Sequence, residues 1–284
     1  MTQEQKRQVA ESLRGFCEKM GSQNKAATAI GVSAATISKV LSGKWDTIDD
    51  KMWRQVGAAC GHDDGNWQIV ETRAYRRMVF LLENAREDAQ VFAVTGYAGS
   101  GKTEAIKNYS ANHQNVFHLS CSEFWSKSTF IQKLLKALGR TMGGTMNEQM
   151  EDAISTLKQT ERPLLILDEA DKLSNSVLYF FITLYNALED HCGIVMCATS
   201  HLQKKIEKGV RLNKKGYEEI YSRIGRNFIS VPVINDQDIA DICRANGVTD
   251  KADIKTVTAD ADSDLRRVKR KIWAMKKGSR RQEA

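Results

Sequence analysis

Proline is nearly missing from this sequence, with 2 in 284 residues, and both Pro163 and Pro232 adjoin the end of an expected strand. Long apolar runs are missing as well. None approaches the roughly 20 residues a membrane-spanning helix needs, so no membrane partner is expected. Residues 1–14 are polar and charged, unlike the apolar centre of a secretory leader, and the expected location is the cytoplasm. Six cysteines occur (Cys17, Cys60, Cys121, Cys192, Cys197 and Cys243), but there is no C-x-x-C pair and no histidine at zinc spacing. Buried thiols are therefore expected, with neither disulfide nor structural metal. Acidic residues are absent from 265 to 281, where Arg266, Arg267, Lys269, Arg270, Lys271, Lys276, Lys277, Arg280 and Arg281 crowd together.

What is present is the composition of a globular protein, 42% hydrophobic and 27% charged, with a net charge of +7 that suits an acidic partner. A second basic run passes through Lys204, Lys205, Lys208, Arg211, Lys214 and Lys215. Such runs are either solvated faces or surfaces matched to phosphate backbones.

The most specific stretch is Gly96-Tyr97-Ala98-Gly99-Ser100-Gly101-Lys102-Thr103. Three glycines let backbone N–H groups turn toward a triphosphate, Lys102 supplies a point charge for the outer phosphates, and the Thr103 hydroxyl is a Mg²⁺ ligand. Context supports the match. Residues 91–95 form a short apolar strand before the loop, and a helix beginning with Glu104 follows it, so the positive end of the helix faces the anion. ATP and Mg²⁺ are the expected cofactors.

Residues 163–167 are continuously apolar, as in a strand buried on both faces of a parallel sheet, and they deliver Asp168 and Glu169 at its carboxyl end, where ligands bind. Asp168 is placed to hold Mg²⁺ through water and Glu169 to polarise the attacking water. Asp171 reads as an ordinary acidic turn or helix cap.

Further strands are expected at 116–119, 193–198 and 227–231, with helical segments between them, so the fold class is α/β, a parallel sheet flanked by helices. Beyond residue 235 the pattern is purely helical, with segments at 236–245, 251–257 and 264–276 forming a small lid. Residues 2–60 are also helical. Within them 24–30 and 33–41, joined at Gly31-Val32, form a helix-turn-helix whose second helix is capped by Ser33. Its outward positions Ser33, Ala34, Ala35, Thr36, Ser38 and Lys39 are small or polar, as a helix entering a major groove needs. No arginine, asparagine or glutamine lies on that face, so base reading would be weak. A protein–protein module uses the same packing and stays open as the other reading, and Trp45 and Trp53 are expected to pack within it. Residues 61–65 look like a linker. The expected domains are 1–62, helix-turn-helix; 63–234, nucleotide-binding core; and 235–284, lid and basic tail.

Taken together, the Ala34–Val40 helix, the phosphate loop, Leu167-Asp168-Glu169-Ala170-Asp171 and Ser222-Arg223-Ile224-Gly225-Arg226 resemble the AAA+ ATPases, and the join to a helix-turn-helix resembles the Mu B type of target-selecting transposition protein. The likeness spans nearly the whole chain. It implies that Thr199, with Ser200 as a rival, orients the attacking water. It makes Arg223 or Arg226 the finger offered to a neighbouring subunit's nucleotide, and Arg266 the lid's sensor arginine. A glycine common at the start of that lid motif is Ser263 here, which leaves Arg267 as a substitute. It further implies a ring or helical filament on double-stranded DNA, with backbone contacts from the loop Phe124-Trp125-Ser126-Lys127, Lys127 foremost, and less securely from Lys172. Arg266 and Glu104 complete the expected nucleotide-binding set.

The activity implied is ATP-dependent, largely sequence-independent DNA binding that delivers target DNA to a transposase and activates it, in a bacterial host cell. Two alternatives stand beside it: a replication ATPase resembling a helicase loader, and a transcriptional regulator switched by ATP.

Overall fold

The computed structural model describes residues 3–60, 67–141 and 143–282, with the side chains of residues 58 and 277–282 excepted. The expected linker at 61–65, and with it the expected boundary at residue 62, lies outside the described residues.

Five strands, β1 (Val91–Thr95), β2 (Val116–Ser120), β3 (Leu164–Asp168), β4 (Gly193–Ala198) and β5 (Phe228–Ser230), form one sheet in the order β2-β3-β4-β1-β5. Every pairing is parallel. Parallel neighbours require crossover connections, which are supplied by α6 (Lys102–Asn112) after β1, α7 (Lys127–Ala137) and α8 (Met146–Gln159) after β2, α9 (Asn175–Leu188) after β3, and α10 (Ser200–Arg211) and α11 (Tyr217–Arg223) after β4. The expected strands fall on these five to within a residue at either end.

The central strands are apolar throughout because both faces are covered. Leu165 and Leu167 point to one face, against Phe130, Leu134, Leu157 and Phe181 of the helices after β2 and β3. Leu164 and Ile166 point to the other, against Met78 and Leu82 of α5 (Arg73–Glu87) and Ile106 of α6. Gly193 opens β4 where a Cβ would stand 2.1 Å from the Ala85 carbonyl oxygen, so only glycine lets α5 approach the strand this closely.

The second face continues into α12 (Asp236–Ala245), α13 (Lys251–Ala261) and α14 (Leu265–Gln282), whose Ile239, Ile242, Val257, Val268 and Ile272 join the same apolar cluster. The last two helices run farther than their sequence pattern indicated, to 261 and 282.

At the other end, α1 (Gln3–Met20), α2 (Gln23–Ile30), α3 (Ala34–Leu41) and α4 (Asp50–Ala59) enclose a core of their own around Leu13, Ile37, Val40 and Trp53. Gly31 takes φ 81° between α2 and α3, the left-handed turn expected there. Trp45 packs edge-on to Trp53 at 5.5 Å and donates its indole N–H to the Val40 carbonyl. This head abuts α7 and its C-terminal end: Lys136 Nζ lies 2.9 Å from where a Gly31 Cβ would stand, and Lys25 and Met20 crowd Gly139. All six cysteines are free thiols, five of them buried. No helix among the described residues is long and apolar enough to cross a membrane.

Candidate nucleotide site and the surfaces around it

Beyond the carboxyl ends of β1, β3 and β4 lies a cleft of about 310 Å³ lined by Ala98 through Glu104, by Asp168, Glu169, Asp171, Lys172 and Thr199, and by Leu265 and Arg266 of the lid. Its floor is the glycine loop. Gly99 and Gly101 sit at φ 77° and 88°, which side chains rarely adopt, and a Cβ on Gly99 would stand 2.0 Å from Asp264 Oδ1. The loop is tied down at its start, by Gly96 N–H to the Ala198 carbonyl at 3.2 Å, and at its middle, by Leu265 N–H to the Gly99 carbonyl at 2.9 Å.

Gly96 and Tyr97 do not line the cleft. Their carbonyls instead accept the Lys102 ammonium, each at 2.8 Å, with Ser100 Oγ at 3.2 Å. Burial lowers the Lys102 pKa from its ordinary value. Thr103 Oγ1 donates to Asp168 Oδ2 at 2.7 Å, joining the two expected Mg²⁺ residues across the loop and strand. The Asp168 carboxylate is 2% exposed. Burial pushes its pKa up, but His118 and Thr103 beside it, with the Glu169 amide, outweigh that and hold it below the usual carboxylate range. His118 Nε2 faces Asp168 Oδ2 at 3.7 Å, an ion-pair distance rather than a hydrogen bond, and it is buried with no hydrogen-bond partner.

Glu169 follows in left-handed backbone, φ 56°, a strained conformation for a residue with a side chain. Its carboxylate accepts the Lys172 ammonium at 2.7 Å, with both side chains about half exposed. That contact raises the Lys172 pKa. The residue expected to contact DNA and the residue expected to polarise water are thus partners. Thr199 Oγ1 donates to Asp171 Oδ2 at 2.6 Å. Asp171 lies in the short 3-10 turn Ala170–Lys172, in keeping with its reading as an acidic turn, but it caps no helix and in addition holds a cleft residue. Ser200, the rival to Thr199, does not line the cleft.

Of the lid arginines, Arg266 lines the cleft, whereas Arg267 turns to Asp262 at 3.6 Å. Ser263, where the family motif has glycine, takes φ 56°, the region that glycine enters without strain. Neither Arg223 nor Arg226 reaches the cleft. Arg223 lies near Ala89 and Val91, at the opposite end of β1 from the phosphate loop. It stacks over Tyr185 at 5.2 Å and faces Glu189 and Glu219 at 3.9 and 3.8 Å. Arg226 is 65% exposed, with Glu218 at 3.3 Å.

Lys127 opens α7 at the surface, next to a fully displayed Phe124. In the head, Ser33 accepts the Thr36 amide and its hydroxyl meets Thr36 Oγ1 at 2.8 Å, so these two side chains are engaged with each other, while Ser38 and Lys39 face solvent.

Sequence reasoning missed the strap at 67–70 ahead of α5. Trp67, Gln68, Ile69 and Val70, with Ile242 of α12, form the apolar end of the cleft. The strap is fixed by Asn246, 2% exposed, whose amide accepts the Gln68 N–H at 2.8 Å and donates to the Gln68 carbonyl at 3.0 Å. The available signal was Trp67 and the apolar pair Ile69-Val70 shortly after a polar linker. Nothing in the sequence singles out Asn246 or His118.

The chain matches the family described as an AAA domain over residues 85–206. It is 26% identical over 220 residues to the Mu-like prophage FluMu DNA transposition protein B of Haemophilus influenzae, covering 75% of this chain and 74% of the relative. It is 23% identical over 241 residues to the ATP-dependent target DNA activator B of Escherichia phage Mu, covering 81% and 70%. Among solved structures it is similar to the Aeropyrum pernix ORC1 protein in complex with DNA, TM-score 0.53 at 16% identity, over 72% of this chain and 58% of that one. Cdc6p from Pyrobaculum aerophilum gives a TM-score of 0.52 at 16% identity, over 76% and 67%. At such identity these two likenesses speak for the fold alone: a five-stranded parallel sheet with flanking helices, as in AAA+ proteins.

Proposed function

We propose, from the premise that the chain is a Mu B-like AAA+ ATPase, that it binds double-stranded DNA with little regard to sequence, assembles on it when loaded with ATP, and presents it to a transposase that it activates. The observation that carries this reading is the chain of contacts running from Thr103 through Asp168 and Glu169 to the surface lysine Lys172.

The residues fit a nucleotide with its metal. The donors offered are hard oxygens, Thr103 Oγ1 and the Asp168 carboxylate, already 2.7 Å apart, beside an ammonium and a glycine loop. Bound Mg²⁺ would neutralise charge developing on the transferring phosphoryl group. Lys102 does the same for the outer phosphates once its ammonium leaves the Gly96 and Tyr97 carbonyls. Glu169 orients the water and takes its proton. While it is paired with Lys172 its carboxylate is engaged elsewhere, and a DNA phosphate competing for Lys172 releases it, which makes turnover DNA-stimulated. Thr199, set by Asp171, is the second group on the water. Arg266 closes the cleft from the lid.

Arg226 is the better finger for a neighbouring subunit, because its guanidinium is exposed, whereas Arg223 is committed to Tyr185 and two glutamates. Acting in trans, such a finger requires self-association. The contacts made by Lys127 and Lys172 are with phosphates, so affinity falls steeply with salt. The head's outward face, Ser33, Thr36, Ser38 and Lys39, adds weak contacts to DNA.

Electron microscopy and sedimentation with random-sequence duplex, in ATP, ADP and no nucleotide, test the reading. Filaments or rings on any duplex with ATP are expected, dispersing with ADP. A monomer indifferent to DNA in all three conditions would end it. Glu169→Gln is expected to keep the ATP assemblies and lower kcat by about 10²- to 10³-fold. Unchanged hydrolysis would remove Glu169 from its role.

A further inference from the structure

Phe124 is 86% exposed, the most exposed large apolar side chain among the described residues. The loop that displays it is rigidly held. Cys121 N–H binds the Asp168 carbonyl at 2.8 Å and Trp125 N–H binds the Ser122 carbonyl at 3.2 Å. Ser126 caps α7 through the Thr129 amide at 3.1 Å. The two adjacent aromatics have opposite fates: the Trp125 ring packs edge-on to buried Phe130 at 6.3 Å, and Phe124 is turned out.

The surroundings distinguish between occupants. The exposed neighbours along the loop, Glu123, Ser126, Lys127 and Ser128, are all polar, so Phe124 is an isolated aromatic and not part of an apolar patch of the kind that forms the centre of a protein interface. The Cys121 N–H bond to the Asp168 carbonyl sets this loop beside the end of β3, just ahead of the 170–172 turn, and Lys205 donates to the Leu173 carbonyl next to that turn. A single displayed aromatic three positions before Lys127, on a loop bonded to the end of the strand that leads to Lys172, matches a duplex, in which phosphates meet the cations and the base stack takes the ring.

We propose that Phe124 is a wedge that enters between base pairs of the bound duplex and opens a step, so that the assembly settles preferentially where pyrimidine–purine steps unstack easily. The inference rests on the DNA-binding reading above and adds to it a preference that phosphate contacts cannot supply.

The test uses the full-length protein with ATP and a duplex carrying 2-aminopurine at a central TA step, measuring fluorescence together with affinity across salt concentrations. The wild type is expected to raise the fluorescence several-fold and to bind TA-rich duplex several-fold more tightly than GC-rich duplex. Phe124→Ala is expected to lose both effects while keeping the salt slope and Tm, and Phe124→Tyr to retain them. Wild-type binding without a fluorescence change, or an unchanged signal in Phe124→Ala, would overturn the wedge and leave the DNA-binding reading intact. No wild-type binding at any salt concentration would instead sink that reading and the wedge with it. Sedimentation without DNA closes the remaining route: if Phe124→Ala abolishes ATP-dependent assembly there, the ring is a subunit contact and the proposal fails.

Discussion

The nucleotide cleft and the outer edge carrying Phe124, Lys127 and Lys172 lie side by side at the carboxyl ends of the strands and are built by opposite rules. In the cleft, Asp168 is 2% exposed and bonded to Thr103, and the Lys102 ammonium has three oxygen partners. A buried polar atom without a partner costs about 1–3 kcal/mol, so each group there constrains the type of the next. At the outer edge water satisfies whatever is displayed, and one cation serves a phosphate as well as another. Glu169 and Lys172 sit on the boundary, each reaching from one region toward the other.

Removing the cleft's charge breaks the comparison most severely. Lys102→Ala is expected to abolish nucleotide-dependent DNA binding, read by filter binding in ATP and ADP, and retained binding would show that the two regions work independently. Next come the two arginines. Arg226→Ala is expected to lower turnover by about 10³-fold or more in homogeneous assemblies and to regain part of it in assemblies mixed with Glu169→Gln subunits, which keep Arg226 for a neighbour's nucleotide. Arg223→Ala is expected to lower Tm through its lost stacking and leave turnover within a few-fold. The reverse outcome would move the finger to Arg223.

Lys172→Ala sharpens the boundary itself. A half-exposed ion pair is worth about 0.2–1 kcal/mol, so DNA-free hydrolysis is expected to rise by roughly two- to fivefold while the salt slope for duplex binding falls by about 1. A fall in both basal and stimulated rates would mean that Lys172 supports Glu169 instead of occupying it. The smallest effect is expected at the lid. Ser263→Gly relieves a left-handed backbone and should raise stability by about 1 kcal/mol or less, visible as a small increase in Tm. A lower Tm would show that the hydroxyl matters more than the strain.

The sheet was legible because its central strands are buried on both faces, which forces runs such as Leu164–Asp168 and Gly193–Ala198 to be apolar throughout. The phosphate loop was legible because anion binding by backbone dictates glycine. Helix ends were less so: α13 runs past its apolar pattern through Thr258, Ala259 and Asp260, partly or fully exposed positions that need no particular residue, and α14 runs on to residue 282. The strap escaped because four residues show no period, and Asn246 because its two bonds are to the backbone of Gln68, 178 positions away, where any sequence offers the same atoms. The pairing of Asp171 with Thr199 was hidden for a related reason. An acidic residue three positions after a strand end reads as a turn until the neighbouring strand is placed beside it.

Burial has a practical consequence for the thiols. It raises the pKa of Cys17, Cys60, Cys121, Cys192, Cys197 and Cys243 alike, to about 12 at Cys60, Cys121 and Cys192. Maleimide reacts with accessible thiolate, and five of the six thiols are buried, so near neutral pH the native chain is expected to label slowly. A fluorophore attached through Phe124→Cys would then report from that one position, without first stripping the natural cysteines out of the core.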